Sequence, residues 1–308
     1  MLISAALSRR RGFTLVELLF VLVIFGLVAA ATMQVIVRQQ RFYASTTDLI
    51  AMRNTLRDVG EALPSDLRGI SSVGGDIYAM SDSAIDFRLA TGISVICSIG
   101  VGRLTAVIPP TNLSNKSGLT TWISAPTTGD TMFVYNPGAT SAITDDAWQG
   151  PIPVTAAIAI GSCPTSTGYT STSSEASNSQ TLTFGTALAA NVVPGNVIRF
   201  YRHAKYKLFQ PAGSSAWYLG YQECPAGVCG TMQPVAGPYL PYSTNAGTTG
   251  LRFVFRDSTG AITTTTTQVA RIDIIAKAQT ENPIRMPGRP VDYYSDSLVV
   301  TVALRNRS

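Results

Sequence analysis

The feature that most limits what this chain can become is a 25-residue stretch, Phe13 to Val37, in which Glu17 is the one charged side chain. As an α-helix it is ~38 Å long, more than the ~30 Å of a bilayer's hydrocarbon core. No proline interrupts it; the first proline in the chain is Pro64. A secretory signal has a shorter apolar core, roughly 7–15 residues, with a small-residue cleavage site behind it. Ala29-Ala30-Ala31 imitates such a site, but cleavage there would discard the most strongly patterned part of the sequence. Arg9, Arg10 and Arg11 directly precede the stretch. By the positive-inside rule they keep the N-terminus cytoplasmic and send the body of the chain across.

Glu17 is the residue a plain anchor would not carry. An ionised carboxylate at the bilayer centre costs about 2.5–3.5 kcal/mol, and less near an end, so an acid in a span calls for a cationic partner. Arg11-Gly12-Phe13-Thr14-Leu15-Val16-Glu17 resembles the processing motif of type IV prepilins and of the pseudopilins of type II secretion. The resemblance implies that a membrane peptidase cuts after Gly12, the last leader residue, and methylates the new N-terminus at Phe13. It also implies that Glu17 pairs with the terminal amine of a neighbouring subunit, where a low dielectric among packed apolar helices strengthens the attraction. The motif is matched across the cut site and the acid, and it covers about the first 40 residues.

Beyond the span an apolar stripe continues. Val35, Phe42, Leu49, Leu56 and Leu63 recur every seven residues, with Met52 and Val59 between them. A stripe over so few heptads reads as a helix packed on its own domain in preference to a coiled coil. The organisation expected is a leader over 1–12, a helix over 13–63 with 13–37 in the membrane or filament core, and a β-rich body over 64–308. Pro64 marks the helix end, because the residue before proline is disfavoured in helical geometry.

After Pro64 the sequence turns to Ser, Thr, Gly and Pro between short apolar runs. Strands are expected at Ala84–Leu89, Ile93–Ile99, Leu104–Ile108, Thr131–Tyr135, Val154–Ile160, Thr181–Phe184, Val197–Arg202, Trp217–Gln222, Leu251–Arg256, Val269–Ala276 and Leu298–Arg305. Their alternation and spacing argue for antiparallel pairing, not βαβ units. The fold class read from this is α+β: a long N-terminal helix laid on an antiparallel sheet with long loops, the pilin-like architecture. Residues 164–180, almost all small and polar, read as a mobile surface loop. Thr263–Thr267 reads as a strand edge or a long hairpin. The closing strands resemble those of PilW-like minor pilins and J-type pseudopilins, and the length favours the PilW-like side.

Four cysteines suit an oxidising compartment. Cys224 and Cys229 could close a small loop, leaving Cys97 and Cys163 to pair; spacing alone leaves three connectivities open. Zinc is disfavoured, since His203 is the sole histidine. Asp82 with Asp86, or Asp145-Asp146, could ligate calcium but lack a loop template. Arg199, Arg202, Lys205 and Lys207 interleave with Phe200, Tyr201, Tyr206 and Phe209. Such a pattern can bind nucleic acid, yet a strand with an aromatic inner face and solvated charges is preferred, and Arg285, Arg289, Arg305 and Arg307 are read as solvated too. The formal charge of +5 includes Arg9 to Arg11, so loss of the leader leaves 20 basic side chains against 18 acidic.

No nucleophile elbow, Walker loop, dinucleotide fingerprint or H-E-x-x-H is present. The chain reads as no enzyme, with no cofactor, no metal and no small-molecule substrate. The expected partners are prepilin peptidase, other minor and major pilins through the N-terminal helix, and the inner membrane. The body is expected in the periplasm, then on a cell-surface pilus or periplasmic pseudopilus. The first reading is a minor pilin that initiates or caps a pilus. The alternatives are a J-type pseudopilin of a type II secretion or DNA-uptake system, and a bitopic membrane protein with a ligand-binding β domain.

Overall fold

A computed structural model describes residues 14–114, 118–140, 142–245, 247–286 and 288–304. Gly12, Phe13, Arg305 and Arg307 lie outside them. In chain order the main elements are α1 (Leu15–Leu67), β1 (Ile77–Ser81), β2 (Ala84–Val95), β3 (Ser98–Ile99), β4 (Thr105–Ile108), β5 (Thr121–Trp122), β6 (Thr131–Asn136), β7 (Ala147–Pro153) and β8 (Ala159–Gly161). There follow α2 (Ser173–Ser177), β9 (Ser179–Thr183), β10 (Val197–Phe209), β11 (Trp217–Glu223), β12 (Gln233–Tyr239), β13 (Leu251–Arg256), β14 (Arg271–Gln279) and β15 (Ser295–Ala303). The described strand pairs are antiparallel. The architecture is therefore α+β and pilin-like, a long apolar N-terminal helix followed by antiparallel sheets.

The chain divides into two compact units. The first holds α1 as far as Ala51 together with Thr280–Tyr294, the connection between β14 and β15. That connection is a hairpin closed on itself. Thr280 N donates to Tyr294 O at 2.8 Å, and Ile284 and Asp292 exchange backbone bonds of 2.9 and 3.2 Å. Its turn is tied by Arg289 N to Met286 O at 3.2 Å, with Gly288 at φ +74°. Asn282 Nδ2 donates to Asp48 Oδ2 at 3.1 Å and fastens the hairpin to the helix.

The second unit begins at Met52 and holds the three sheets. The largest runs β1-β2-β10-β11-β12, with β5 on β2 and β6-β7 on β10. A four-stranded sheet runs β3-β4-β9-β8, and β13-β14-β15 form the third. One core lies around Ile96, Ile108, Met132, Leu182, Ile198 and Phe200, all fully buried. The last turns of α1 bury Met52, Leu56, Val59, Leu63 and Leu67. Each such side chain is worth roughly 1.5–3 kcal/mol when fully buried. The helix approaches β15 so closely that a Cβ at Gly60 would lie 2.9 Å from Leu298 Cδ2. Tyr239 Oη donates to Thr55 O at 2.9 Å, and Tyr206 Oη to Asp66 Oδ2 at 2.6 Å, so the sheet also holds this segment by polar contacts.

Several expectations need correction. The helix does not stop at Leu63 but runs through Pro64 to Leu67. Pro64 forfeits one backbone bond, and the burial of Leu63, Pro64 and Leu67 compensates for it. The stripe is not continuous in its burial: Val35 and Phe42 are 53% and 69% exposed, whereas Leu56 and Leu63 are buried.

The expected strand at Val154–Ile160 is replaced by β7 before it and β8 at its end. β7 carries Pro151 and Pro153, and β12 carries Pro234 and Pro238, residues that read as strand breakers. Both strands sit at an edge of the sheet, where a missing ladder donor is tolerated. β2 unites parts of two expected strands, and Gly92 lets Trp122 pair beside it, since a Cβ there would meet Trp122 Cβ at 2.6 Å. Thr263–Thr267 is neither strand edge nor long hairpin: after one bridge between Arg256 and Ile262 the chain leaves the ladder for a short 3-10 turn at Thr266–Gln268.

Candidate functional site: the N-terminal motif and apolar helix

The helix start is built by a local exchange between Thr14 and Glu17. Thr14 N and Thr14 Oγ1 both donate to Glu17 Oε2, at 3.0 and 3.1 Å, and Glu17 N donates to Thr14 Oγ1 at 3.3 Å. This is a capping box, in which the side chains of the cap and of the third helical residue satisfy each other's orphan backbone donors. Within one chain the Glu17 carboxylate thus has hydrogen-bond donors but no cation among the described residues. The T-x-x-E spacing was available in the sequence, and Thr14 is the site residue that the sequence reading passed over.

From Leu15 to Ile36 α1 is not buried by any of the described residues: the apolar side chains Leu18, Phe20, Leu22, Ile24 and Val28 are all more than half exposed. This is the one helix among the described residues that is long and apolar enough to cross a membrane. Exposed apolar surface on this scale marks a surface meant for lipid or another subunit. The helix is apolar on every side, as a span or a filament core requires.

Elsewhere the polar groups are engaged in holding the body together. Cys97 is joined to Cys163 and Cys224 to Cys229. The small Cys224–Cys229 loop docks through Ala226 N on Gly129 O at 3.1 Å, with Gly129 at φ +94°. Next to it Arg202 is buried, not solvated as the sequence reading expected, and correction is due on that point. Its guanidinium forks onto Asp130, with Nε to Oδ1 at 2.9 Å and Nη2 to Oδ2 at 2.7 Å, and reaches Glu223 at 3.2 Å. The two carboxylates raise the Arg202 pKa further and keep it charged in the interior. Arg199, by contrast, is exposed and lies 4.3 Å above the Trp148 ring.

The acids weighed as calcium ligands each take contacts within the body, although Asp145 Oδ1 is buried without a hydrogen-bond partner. Asp86 contacts His203 and lies 3.6 Å from Lys205 Nζ, while Asp82 accepts from Tyr242 Oη at 3.2 Å. Asp145 accepts from Ala139 N and Thr140 N, both at 2.9 Å, and these bonds hold its carboxyl below the ordinary range. Asp146 accepts from Tyr135 Oη at 2.6 Å.

The segment 164–180 is organised, again against expectation. Its centre is a second capping box, Thr172 with Glu175, which starts α2. Glu175 is buried and also accepts from Ser114 Oγ at 2.6 Å and from the Ser114 and Ser171 backbone N–H groups, both at 2.5 Å. Those donors hold its pKa down to about 2, Ser114 contributing most. Cys163 anchors the segment at one end, its N–H donating to Ala176 O at 3.0 Å. Short polar residues supply local hydrogen bonds here, which is why composition alone suggested a loose loop.

A family model described as the prokaryotic N-terminal methylation motif matches residues 7–33. No curated protein and no solved structure matches the chain. The motif points to a type IV pilin or pseudopilin, a structural subunit and not an enzyme, made for processing by prepilin peptidase and assembly with other pilins. With that motif set at the head of a long apolar helix, the N-terminal part of the chain is similar to that of type IV prepilins.

Proposed function

We propose that this chain is a minor type IV pilin, cut after Gly12, N-methylated at Phe13 and built into a filament whose assembly it initiates or caps. The observation that carries the reading is the match of the methylation motif to the head of an apolar helix that has no partner among the described residues. Cleavage would place a new ammonium at Phe13, four residues from Glu17, and the Glu17 carboxylate of one subunit would accept the amine of the next. In a core of apolar helices that pairing fixes register, because an unpaired carboxylate is heavily penalised there. Residues 13–37 would hold the subunit in the inner membrane until assembly, with the body in the periplasm. A body of some 240 residues with two disulfides supports a minor subunit over one that must pack by the thousand.

Intact and N-terminal peptide mass spectrometry of the protein from native membranes tests the processing step. A chain beginning at Phe13 with one added methyl is the expected result; a chain still beginning at Met1 overturns it. Deletion then separates the two filament classes. Loss of surface piliation fits the minor pilin, and loss of exoprotein secretion with piliation intact would assign a pseudopilin instead.

A further inference from the structure

The apolar run of α1 ends at Val37, and Arg38 and Arg41 follow. Leu15–Val37 makes ~35 Å of helix, enough to fill a hydrocarbon core of ~30 Å. Phe42 then lies about 7 Å beyond Val37, within the headgroup layer that adds roughly 5–7 Å on each side of the core. At that level α1 meets the hairpin Thr280–Tyr294. Phe42, Thr46 and Leu49 on the helix and Ile284, Arg285 and Arg289 on the hairpin line a groove of about 610 Å³. Among the described residues no carboxylate lines it. Arg38 falls on the same helix face, one turn before Phe42.

Charge within the hairpin is polarised. Arg285 and Arg289 flank its turn, whereas Glu281 lies toward its base and Asp292 sits in the Ile284–Asp292 bridge, its carboxylate accepting from Tyr293 N at 2.8 Å. Among the described residues neither Arg285 nor Arg289 makes an ion pair. Phe42, Tyr43 and Tyr293 are each more than half exposed beside them. Aromatic side chains with an apolar body and arginines with a charged tip are the residues that settle at a membrane surface.

We propose that this groove binds the headgroup of an anionic phospholipid, in the leaflet where α1 leaves the bilayer. The phosphate is held by Arg285 and Arg289, with Arg38 contributing from the helix, and the acyl chain follows the apolar face of α1 past Phe42. The inference rests on α1 spanning a membrane and adds to that reading a lipid chemistry and three named residues. Such a site would hold the hairpin against the membrane until the subunit leaves it for a filament.

The test uses the full mature chain in nanodiscs of phosphatidylcholine with and without phosphatidylglycerol, with retained lipid read by native mass spectrometry. The wild-type chain is expected to retain phosphatidylglycerol in preference. That preference should fall about fivefold in R285Q or R289Q and about 25-fold in the double variant, at roughly one fivefold step per cation. Hydrogen exchange in β13–β15 is followed alongside to check that the variants keep the body intact. Equal retention of both lipids by a chain that enters the nanodiscs would overturn the proposal while leaving the span in place. Failure of the chain to enter would overturn both. Protection of 280–294 that depends on protein concentration, and not on lipid charge, would assign the groove to a second subunit and also overturn it.

Discussion

The two halves of α1 share one backbone conformation and differ in what they are made to touch. From Leu15 to Ile36 the helix is apolar on every side and keeps its large apolar side chains more than 40% exposed. From Met52 to Leu67 it is striped and buries that stripe, with Leu63 and Leu67 at 0% exposure. A helix that is apolar all round has its partner outside the chain, in lipid or in other subunits. One with a single apolar face finds its partner inside. The same contrast extends to polar chemistry. In the body, Arg202 meets Asp130 and Arg256 meets Asp273 within one chain, while Glu17 finds only its own cap.

Substitutions can break this contrast, and the largest effect belongs to Glu17. A charge pair 4 Å apart at an effective dielectric near 20 is worth ~4 kcal/mol, so Glu17→Ala should cut incorporation into sheared filaments well over tenfold. The melting of the body should not change. Thr14→Val removes the cap alone, worth ~1 kcal/mol, and should affect incorporation far less. If the two variants behave alike, capping and not pairing is the role of the acid.

Next come the crosslinks of the body. Replacing Cys97 and Cys163 by serine opens a loop with a separation of 66 residues and should cost about 4 kcal/mol in urea unfolding. The Cys224 and Cys229 pair, with a separation of 5, should cost about 2. Filament incorporation of any subunit that still folds should be unaffected. Leu63→Ala should then lower body stability by about 3 kcal/mol through transfer and cavity terms. Val28→Ala, on the exposed half, should leave the same transition unmoved, and an equal loss in both would sink the division between the halves.

The smallest effect is local and depends on pH. Glu175 has a folded-state pKa of about 2, below its ordinary 4.5, so it stabilises its segment fully above pH 4.5. That contribution fades as the pH falls from 4.5 through about 2. Limited proteolysis within 164–180 should therefore increase over that range in the wild type and be insensitive to it in Glu175→Gln.

Much of this was legible in residue order. The span, the acid within it and the motif around Gly12 lie in a few consecutive positions, and periodicity exposed β13 at its observed limits, Leu251–Arg256. The strands that escaped, β7 and β12, carry prolines whose cost depends on being at an edge, and an edge is defined by strands far away in sequence. Arg202 escaped for the same reason: its partner Asp130 is 72 positions distant, and without that carboxylate a charged side chain on an alternating strand reads as solvated. The order in 164–180 was half visible, since Thr172 and Glu175 have the same capping spacing as Thr14 and Glu17. What the spacing lacked was Ser114, 61 positions away, whose donors complete the burial.

The sequence by itself determined that the chain has an apolar helix with an acid near its start, a prepilin-type motif and a β-rich body. Helix periodicity, bilayer thickness and strand alternation are local properties that consecutive residues carry. Only the tertiary structure decided where the stripe on α1 begins to be buried, and which arginines go inside, as Arg88 and Arg202 do, and which stay out. It alone set a hairpin from near the C-terminus beside Phe42. Those outcomes depend on pairings between distant residues, and the free energy of burying a charge or a proline is settled by the partner that arrives there.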